Sequence, residues 1–163
     1  GQIGNAKAVQ ALEKLLSDEN EVVRRTALDA LGQIGGRETW APLNRILESE
    51  DTTLRKRAVR FTGSSGNEEA IPALEKIALN DNSQQAVRAI GEIGGEEAVE
   101  ARAQCLEHDD QNIRMVTIET LGKIGGPKAR AAIKGCLDDE NEMIRRWAQM
   151  TLKKLEETET EDK

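Results

Sequence analysis

The chain has 163 residues, enough for one ordinary domain or a short repeat array with a real core. Its formal net charge of −7 argues against nucleic acid or an anionic membrane as the default partner. No run of about 18 apolar residues is present to span a bilayer, and the first residues lack the basic and apolar regions of a secretory signal, which points to a cytoplasmic protein.

The chain opens on Gly1-Gln2-Ile3-Gly4, and these words return along it. They recur as Leu31-Gly32-Gln33-Ile34-Gly35-Gly36, Ile90-Gly91-Glu92-Ile93-Gly94-Gly95 and Leu121-Gly122-Lys123-Ile124-Gly125-Gly126, with a degraded copy at Thr62-Gly63-Ser64-Ser65-Gly66. The first glycines stand at 1, 32, 63, 91 and 122, so the steps are 31, 31, 28 and 31 residues. A fixed period in this range is the signature of stacked repeats. The spacing predicts an all-α solenoid over 1–155, with units at about 5–35, 36–66, 67–94, 95–125 and 126–155 and with residues 1–4 left from an upstream repeat. Because Gly1 falls inside a repeat, the sequence reads as a piece of a longer protein.

Each unit reads as two amphipathic helices. Val9, Leu12, Leu15 and Leu16 form one apolar stripe, and Ser17-Asp18-Glu19-Asn20 breaks it as a turn. A second helix begins near Glu21, turns Val23, Ala27, Leu28, Leu31 and Ile34 inward, and stops at Gly35-Gly36. Later units repeat the register: the slot of Leu12 holds Leu43, Leu74, Arg102 and Ile133, and that of Ala27 holds Ala58, Ala86, Thr117 and Ala148. Small residues recur where helices must approach closely, and large aliphatic ones where a layer must be filled.

The stretch Val22 to Gly35, Val-Val-Arg-Arg-Thr-Ala-Leu-Asp-Ala-Leu-Gly-Gln-Ile-Gly after a loop carboxylate, resembles the HEAT-like repeat first named for phycobilisome lyases. The likeness extends from Gly1 to about Leu155. It implies an armadillo-type α-α superhelix, a right-handed stack of antiparallel helix pairs with second helices on the concave side. It does not imply one function, because such repeats serve pigment lyases, hydroxylases, DNA glycosylases and scaffolds.

Two departures stand out. The third unit is three residues short, so the turn Asn80-Asp81-Asn82-Ser83 runs almost directly into its second helix. Thr62 and Ser65 replace the aliphatic residues that close the other units. Together they predict a thinner core and a softer joint, or a change of curvature, over 62–83. Residues 156–163 are acidic, lack apolar spacing and are expected to be disordered.

No catalytic apparatus is visible. Cys105 and Cys136 occupy the core slot of Leu15, Ile46 and Ile77, and one helix spacing between neighbouring units is too wide for a disulfide. His108, the only histidine, reads as a surface turn residue, and no set of metal ligands or cofactor motif accompanies it. Deoxyhypusine hydroxylase, which has similar repeats, binds iron through His-Glu pairs that this chain lacks.

The repeated arginine carries more information. Arg24, Arg55, Arg114 and Arg145 share one slot at the start of the second helices, near Asp18, Asp51, Asp110 and Asp139; Ser83 stands there in the third unit. In similar repeats this arginine braces a neighbouring loop, so these four are assigned a structural ladder. The positions after it are expected to face the concave side: Arg25, Lys56, Arg57, Arg60 and Arg88 make a basic middle, flanked by Met115, Arg146, Trp147 and Met150. That pattern suits an acidic-hydrophobic segment of a partner protein. Against it stands the reading that Arg57 and Arg60 pair within the chain and that Met143, Trp147 and Met150 pack under the last unit. The leading expectation is a non-catalytic protein-binding scaffold without cofactor or metal. A phycobilin lyase-like pigment-handling role and, behind it, a nucleic-acid-binding module are the alternatives.

Overall fold

The computed structural model describes residues 2–161, and among these it contains ten α-helices and no strand. They pair as α1 (Gln2–Leu15) with α2 (Glu21–Ile34), α3 (Trp40–Leu47) with α4 (Thr52–Ser65), and α5 (Ile71–Asn80) with α6 (Gln84–Ile93). Next come α7 (Gly95–Cys105) with α8 (Gln111–Ile124), and α9 (Gly126–Gly135) with α10 (Glu142–Glu161). Second helices stack in the order α2, α4, α6, α8, α10, and first helices form a parallel layer behind them. This is an all-α solenoid of five helix pairs.

Local chemistry sets the helix ends. Asn20, Asp51, Ser83 and Asp110 each accept a hydrogen bond from a backbone N–H of the first helical turn that follows. Gly35 and Gly36 have φ of 59° and 77°, a region costly for residues with a Cβ, and the glycine pair thereby turns the chain from one unit into the next. The same pair recurs after α6 and α8.

Packing follows the repeat. Leu28, Val59, Val87 and Ile118 share a slot and are almost wholly buried, as are Leu31, Thr62, Ile90 and Leu121. Each aliphatic member contributes about 1.5–3 kcal/mol by leaving water. Gly32, Gly63, Gly91 and Gly122 mark the closest approaches: an added Cβ would collide with Phe61, Ala89, Arg102 and Thr151 respectively.

The core expected to be thinner over 62–83 is instead closely packed at Gly63. Gly63 lies so close to α6 that a Cβ would sit 2.9 Å from Ala89 Cα, and Ala58, Val59, Ala86, Val87, Ala89 and Ile90 form a continuous buried layer around it. Smaller side chains did not thin the core, because the helices moved together. The apolar core divides later, between a cluster reaching Val116 and one that gathers Val99, Ile118 and Leu121 with the last unit. Arg102 sits near that division, fully buried in a slot that other units fill with Leu or Ile. Its Nε and Nη2 donate to Val87 O at 3.4 and 3.2 Å, Nη1 has no hydrogen-bond partner, and burial lowers its pKa to about 10.

Arginine rungs lock the register. Arg24 Nη1 donates to Asp18 O and Glu19 O of its own loop, and Nη2 reaches Asp51 of the next unit at 3.2 Å. Arg55 joins Ser49 O to Asp81 in the same way, at 2.8 and 2.9 Å. Arg114 is nearly buried, binds His108 O and Asp109 O, and grips both oxygens of Asp139 at 3.0 and 3.2 Å. Among the described residues Arg145 binds only its own loop, at Asp139 O and Glu140 O. The Leu54 amide above all, and then Arg24, hold the Asp51 carboxyl below its ordinary 3.8 despite burial. That increment of stability is complete above the ordinary Asp range and is lost as pH falls through the depressed value.

Three expectations change. Residues 2–4 belong to α1 rather than to the end of an upstream helix. Residues 156–161 continue α10, where Lys153 pairs with Glu157 and the Thr158 hydroxyl donates to Lys154 O and Leu155 O, while 162 and 163 lie outside the described residues. Half-buried His108 is no idle surface residue: Nδ1 accepts from Asp110 N at 2.9 Å, so Nε2 is the donor to Leu79 O at 3.0 Å. It ties the fourth unit to the third, where Ser83 has replaced the ladder arginine.

Gly63→Ala should cost about 1–3 kcal/mol by overpacking against backbone, despite the helix propensity it gains, as read from the urea midpoint. Arg102→Leu should stabilise the chain by about 1–3 kcal/mol, because a buried cation lacking an anion gives way to an apolar side chain. Among the rungs, Arg114→Ala should cost about 3 kcal/mol by removing a nearly buried guanidinium and stranding the largely covered Asp139 carboxylate, against about 1 kcal/mol for the more exposed Arg24→Ala. Equal costs for the two would contradict this account of the ladder.

Candidate partner-binding face

The ridge of the second helices carries the residues that follow each ladder arginine. Their charges are largely matched across units. Arg57 makes a two-pronged pair with Asp29, with Nη2 2.6 Å from Oδ2 and Nε 3.0 Å from Oδ1. Arg88 lies 3.4 Å from Glu119, which also accepts from Lys123 at 2.8 Å. The Lys123 hydrogen bond, with Arg88 behind it, lowers the Glu119 pKa. The basic middle is therefore partly neutralised from within, because opposite charges stand at offset positions of neighbouring units.

What stays available is narrower than the sequence suggests. Arg25, Lys56 and Arg146 are exposed and make no ion pair among the described residues; Arg60 is exposed over the Phe61 ring, 5.0 Å from its centroid. Met115 is only half-exposed. At the C-terminal end the apolar residues stand in solvent: Met143 and Met150 are each 64% exposed and Trp147 37%. They do not pack under the last unit.

Trp147 and Met150 border an open groove of about 570 Å³ between α8 and α10. Gly122 and Thr151, in close contact, lie among its lining residues between the large side chains of Ile124, Trp147, Met150 and Leu155. Glu119, Lys123, Lys154 and Thr158 add polar groups. Nothing in the repeat pattern singled out Lys154, Thr151 or Leu155, because each occupies an ordinary slot; the groove arises where large and small residues alternate across two helices.

A second recess follows from the shortened unit. Helix α6 has 10 residues against 14 in α4 and α8, and the missing turn leaves a notch of about 320 Å³ beside Arg55, Lys56, Gln84 and Gln85. Asn82 takes a φ of 50° in the abbreviated loop.

Neither thiol is poised to act as a nucleophile. Both thiols are free and buried, and burial pushes each up to about 11. Among the described residues no group of three or more His, Cys, Asp or Glu could hold a metal ion, and no helix is long and apolar enough to cross a membrane. The arrangement offers shape, apolar anchors and positive charge.

Comparison with known proteins places this architecture. The structure is similar to the complex of CpcE and CpcF of phycocyanin lyase from Nostoc sp. PCC7120, with a TM-score of 0.64 at 17% identity over 89% of this chain and 98% of that one. It is also similar to a designed armadillo repeat protein in complex with the peptide (KR)4, with a TM-score of 0.58 at 22% identity over 93% and 83% of the two chains. An engineered protein gives a TM-score of 0.54 at 24% identity over 96% and 82%. Among curated protein sequences none matches. The family model for HEAT repeats matches residues 9–85 and 82–153, nearly the full array of helix pairs. The chain belongs to the HEAT repeat family.

Proposed function

We propose that the chain is a non-catalytic scaffold that binds a segment of a partner protein along its second-helix face. The segment seats an apolar side chain in the α8–α10 groove and sets carboxylates against Arg146, Lys154 and, further along, Arg60 and Lys56. The observation that carries this reading is the exposure of Trp147 and Met150 at the rim of a groove. Soluble chains seldom leave such side chains clustered in water, and Trp is the residue most enriched among interface anchors. The neighbours fit a binding role: one is part of a two-protein complex and another holds a peptide. The likeness to phycocyanin lyase, at 17% identity, speaks for the fold.

A display selection of random peptides against the intact chain should enrich an aliphatic or aromatic residue flanked by Asp or Glu. Trp147→Ala should then weaken the enriched peptides at least tenfold, about 1.4 kcal/mol. Arg146→Glu should weaken them and flatten their salt dependence. Enrichment of basic peptides, or binding indifferent to Trp147→Ala, would refute the reading.

A further inference from the structure

The outward ridge of the second helices changes character at the last junction. The slot shared by Asp29, Arg60, Arg88 and Glu119 holds Met150 in α10, and the slot of Arg57 holds Trp147. Earlier junctions use these slots for charge matching, Arg57 with Asp29 and Arg88 with Glu119. At the last one both side chains are apolar and exposed. A third slot shows how much space this leaves. Thr151 is the equivalent of Phe61, whose ring lies over Gly32 and helps line a recess of only about 150 Å³ between α2 and α4. Thr151 meets Gly122 with its methyl group, and the groove between α8 and α10 is about 570 Å³.

The shape and chemistry of this groove restrict what conformation can lie in it. On α10 it is lined by Trp147, Met150, Thr151, Lys154, Leu155 and Thr158, one stripe over three turns and about 16 Å long. The peptide groups of these residues lie inside α10 and are engaged in its own hydrogen bonds. No Asn or Gln lines the groove. For the N–H groups of an extended segment, the side-chain acceptors are the Glu119 carboxylate, already held by Lys123 and Arg88, and the hydroxyls of Thr151 and Thr158. Peptide groups buried without partners oppose binding, whereas a helix carries its backbone hydrogen bonds within itself.

We infer that the occupant of the α8–α10 groove is an acidic amphipathic α-helix of a partner protein, about three turns long. The inference rests on the reading of this groove as the partner's anchor and adds the conformation of the bound segment. Apolar side chains at i, i+4 and i+7 of that helix lie over Gly122 and Thr151, between Trp147 and Leu155. Charge complementarity sets its acidic character: Arg146 and Lys154 are exposed, make no ion pair among the described residues, and stand eight residues apart on α10, about 12 Å. Carboxylates about eight residues apart on a helix reach both, whereas an extended chain covers that distance in about four residues. A second copy fits poorly. Its α10, laid antiparallel about Met150, sets Arg146 of each copy against Lys154 of the other, and like charges so placed disfavour the pairing.

Two synthetic peptides of identical composition, each about 15 residues long, test this against the intact chain. One places Leu at i, i+4 and i+7 and two Glu eight residues apart; the other arranges the same residues in strict apolar-polar alternation. The first should bind at least tenfold more tightly, gain helical circular dichroism on binding, and lose at least tenfold when a central residue is replaced by proline. Thr151→Phe, which puts the ring of Phe61 into its equivalent slot, should weaken that peptide tenfold or more. Met150→Glu, at an exposed site, should do the same and carries the test where Thr151→Phe lowers the unfolding midpoint. Equal or tighter binding of the alternating peptide, sensitive to Trp147→Ala, would overturn the helix and leave the partner-binding reading intact. So would failure of the helical peptide where display-selected acidic peptides bind. Helical-peptide binding indifferent to Trp147→Ala and Met150→Glu would overturn both. A concentration-dependent dimer that Met150→Glu abolishes would give the groove to a second copy and overturn the inference.

Discussion

A single helix pair of this protein has apolar side chains on two opposite sides and can cover neither by itself. Its stability rests on how closely the next pair can come, and that distance is set at the glycine slot of the second helices. At Gly63 the backbone of α6 occupies the space a side chain would need. This proximity seals Ala58, Val59 and Ile90 from water and also brings one unit's arginine within reach of the next unit's aspartate. Moving the helices apart by the width of a methyl group would weaken both, because dispersion contacts and short ion pairs fall away over that range. Burial and register are thus two consequences of one approach distance, and the ladder adds direction to a contact that aliphatic packing alone leaves free to slide.

The same constraint explains how irregular units are accommodated. The third unit lost a helical turn and its ladder arginine, yet its layer closes because Ala86 and Ala89 let α6 settle onto α4. The connection to the fourth unit passes through the His108 imidazole, which uses one nitrogen to hold its own loop and the other to hold Leu79. Arg102 is the costlier accommodation. Its guanidinium lies against Gly91, using the cleft that elsewhere receives a ring or a methyl group, and one of its nitrogens goes unpaired. A charge in the dry interior with a single carbonyl to serve it opposes folding, and it lies where the apolar core divides in two.

Much of this was legible in the sequence, and the parts that were not share a cause. Period, helix pairing, core slots and the arginine slot depend on one-dimensional spacing, which glycine and alanine mark plainly. That Arg57 pairs within the chain is a reading the sequence allows, but its partner, Asp29, depends on the sideways offset between helices in different units, which spacing does not carry. Opposite charges at those slots were nonetheless a usable signal. The thinner core expected over 62–83 is not found at Gly63, because lost side-chain volume was read as lost packing, when small residues permit closer backbones. The tail expected to be disordered after Leu155 continues as helix through residue 161, since Glu forms helix well and the Lys153–Glu157 pair and the Thr158 hydroxyl tie the added turn to α10. The groove beside Trp147 escaped notice because it arises from the small residues Gly122 and Thr151 between large neighbours.

Charge matching along the second-helix face has a consequence for what that face can hold. Where Asp29 meets Arg57, and Glu119 meets Arg88 and Lys123, a partner's ion would have to break an existing pair to form a new one, for little net gain. The exposed cations of this face without an ion pair among the described residues lie at separated points: Arg25 in the first unit, Lys56 beside the notch of the third, Arg60 over its ring, and Arg146 next to Trp147. On the proposed reading, affinity would come from the apolar groove at one end, because there a partner can exclude water without displacing an ion pair. The scattered cations would then set the direction in which the rest of the proposed segment runs. A binding face built this way separates anchoring from orientation: the anchor depends on two neighbouring helices, and the orientation on the spacing of the whole stack.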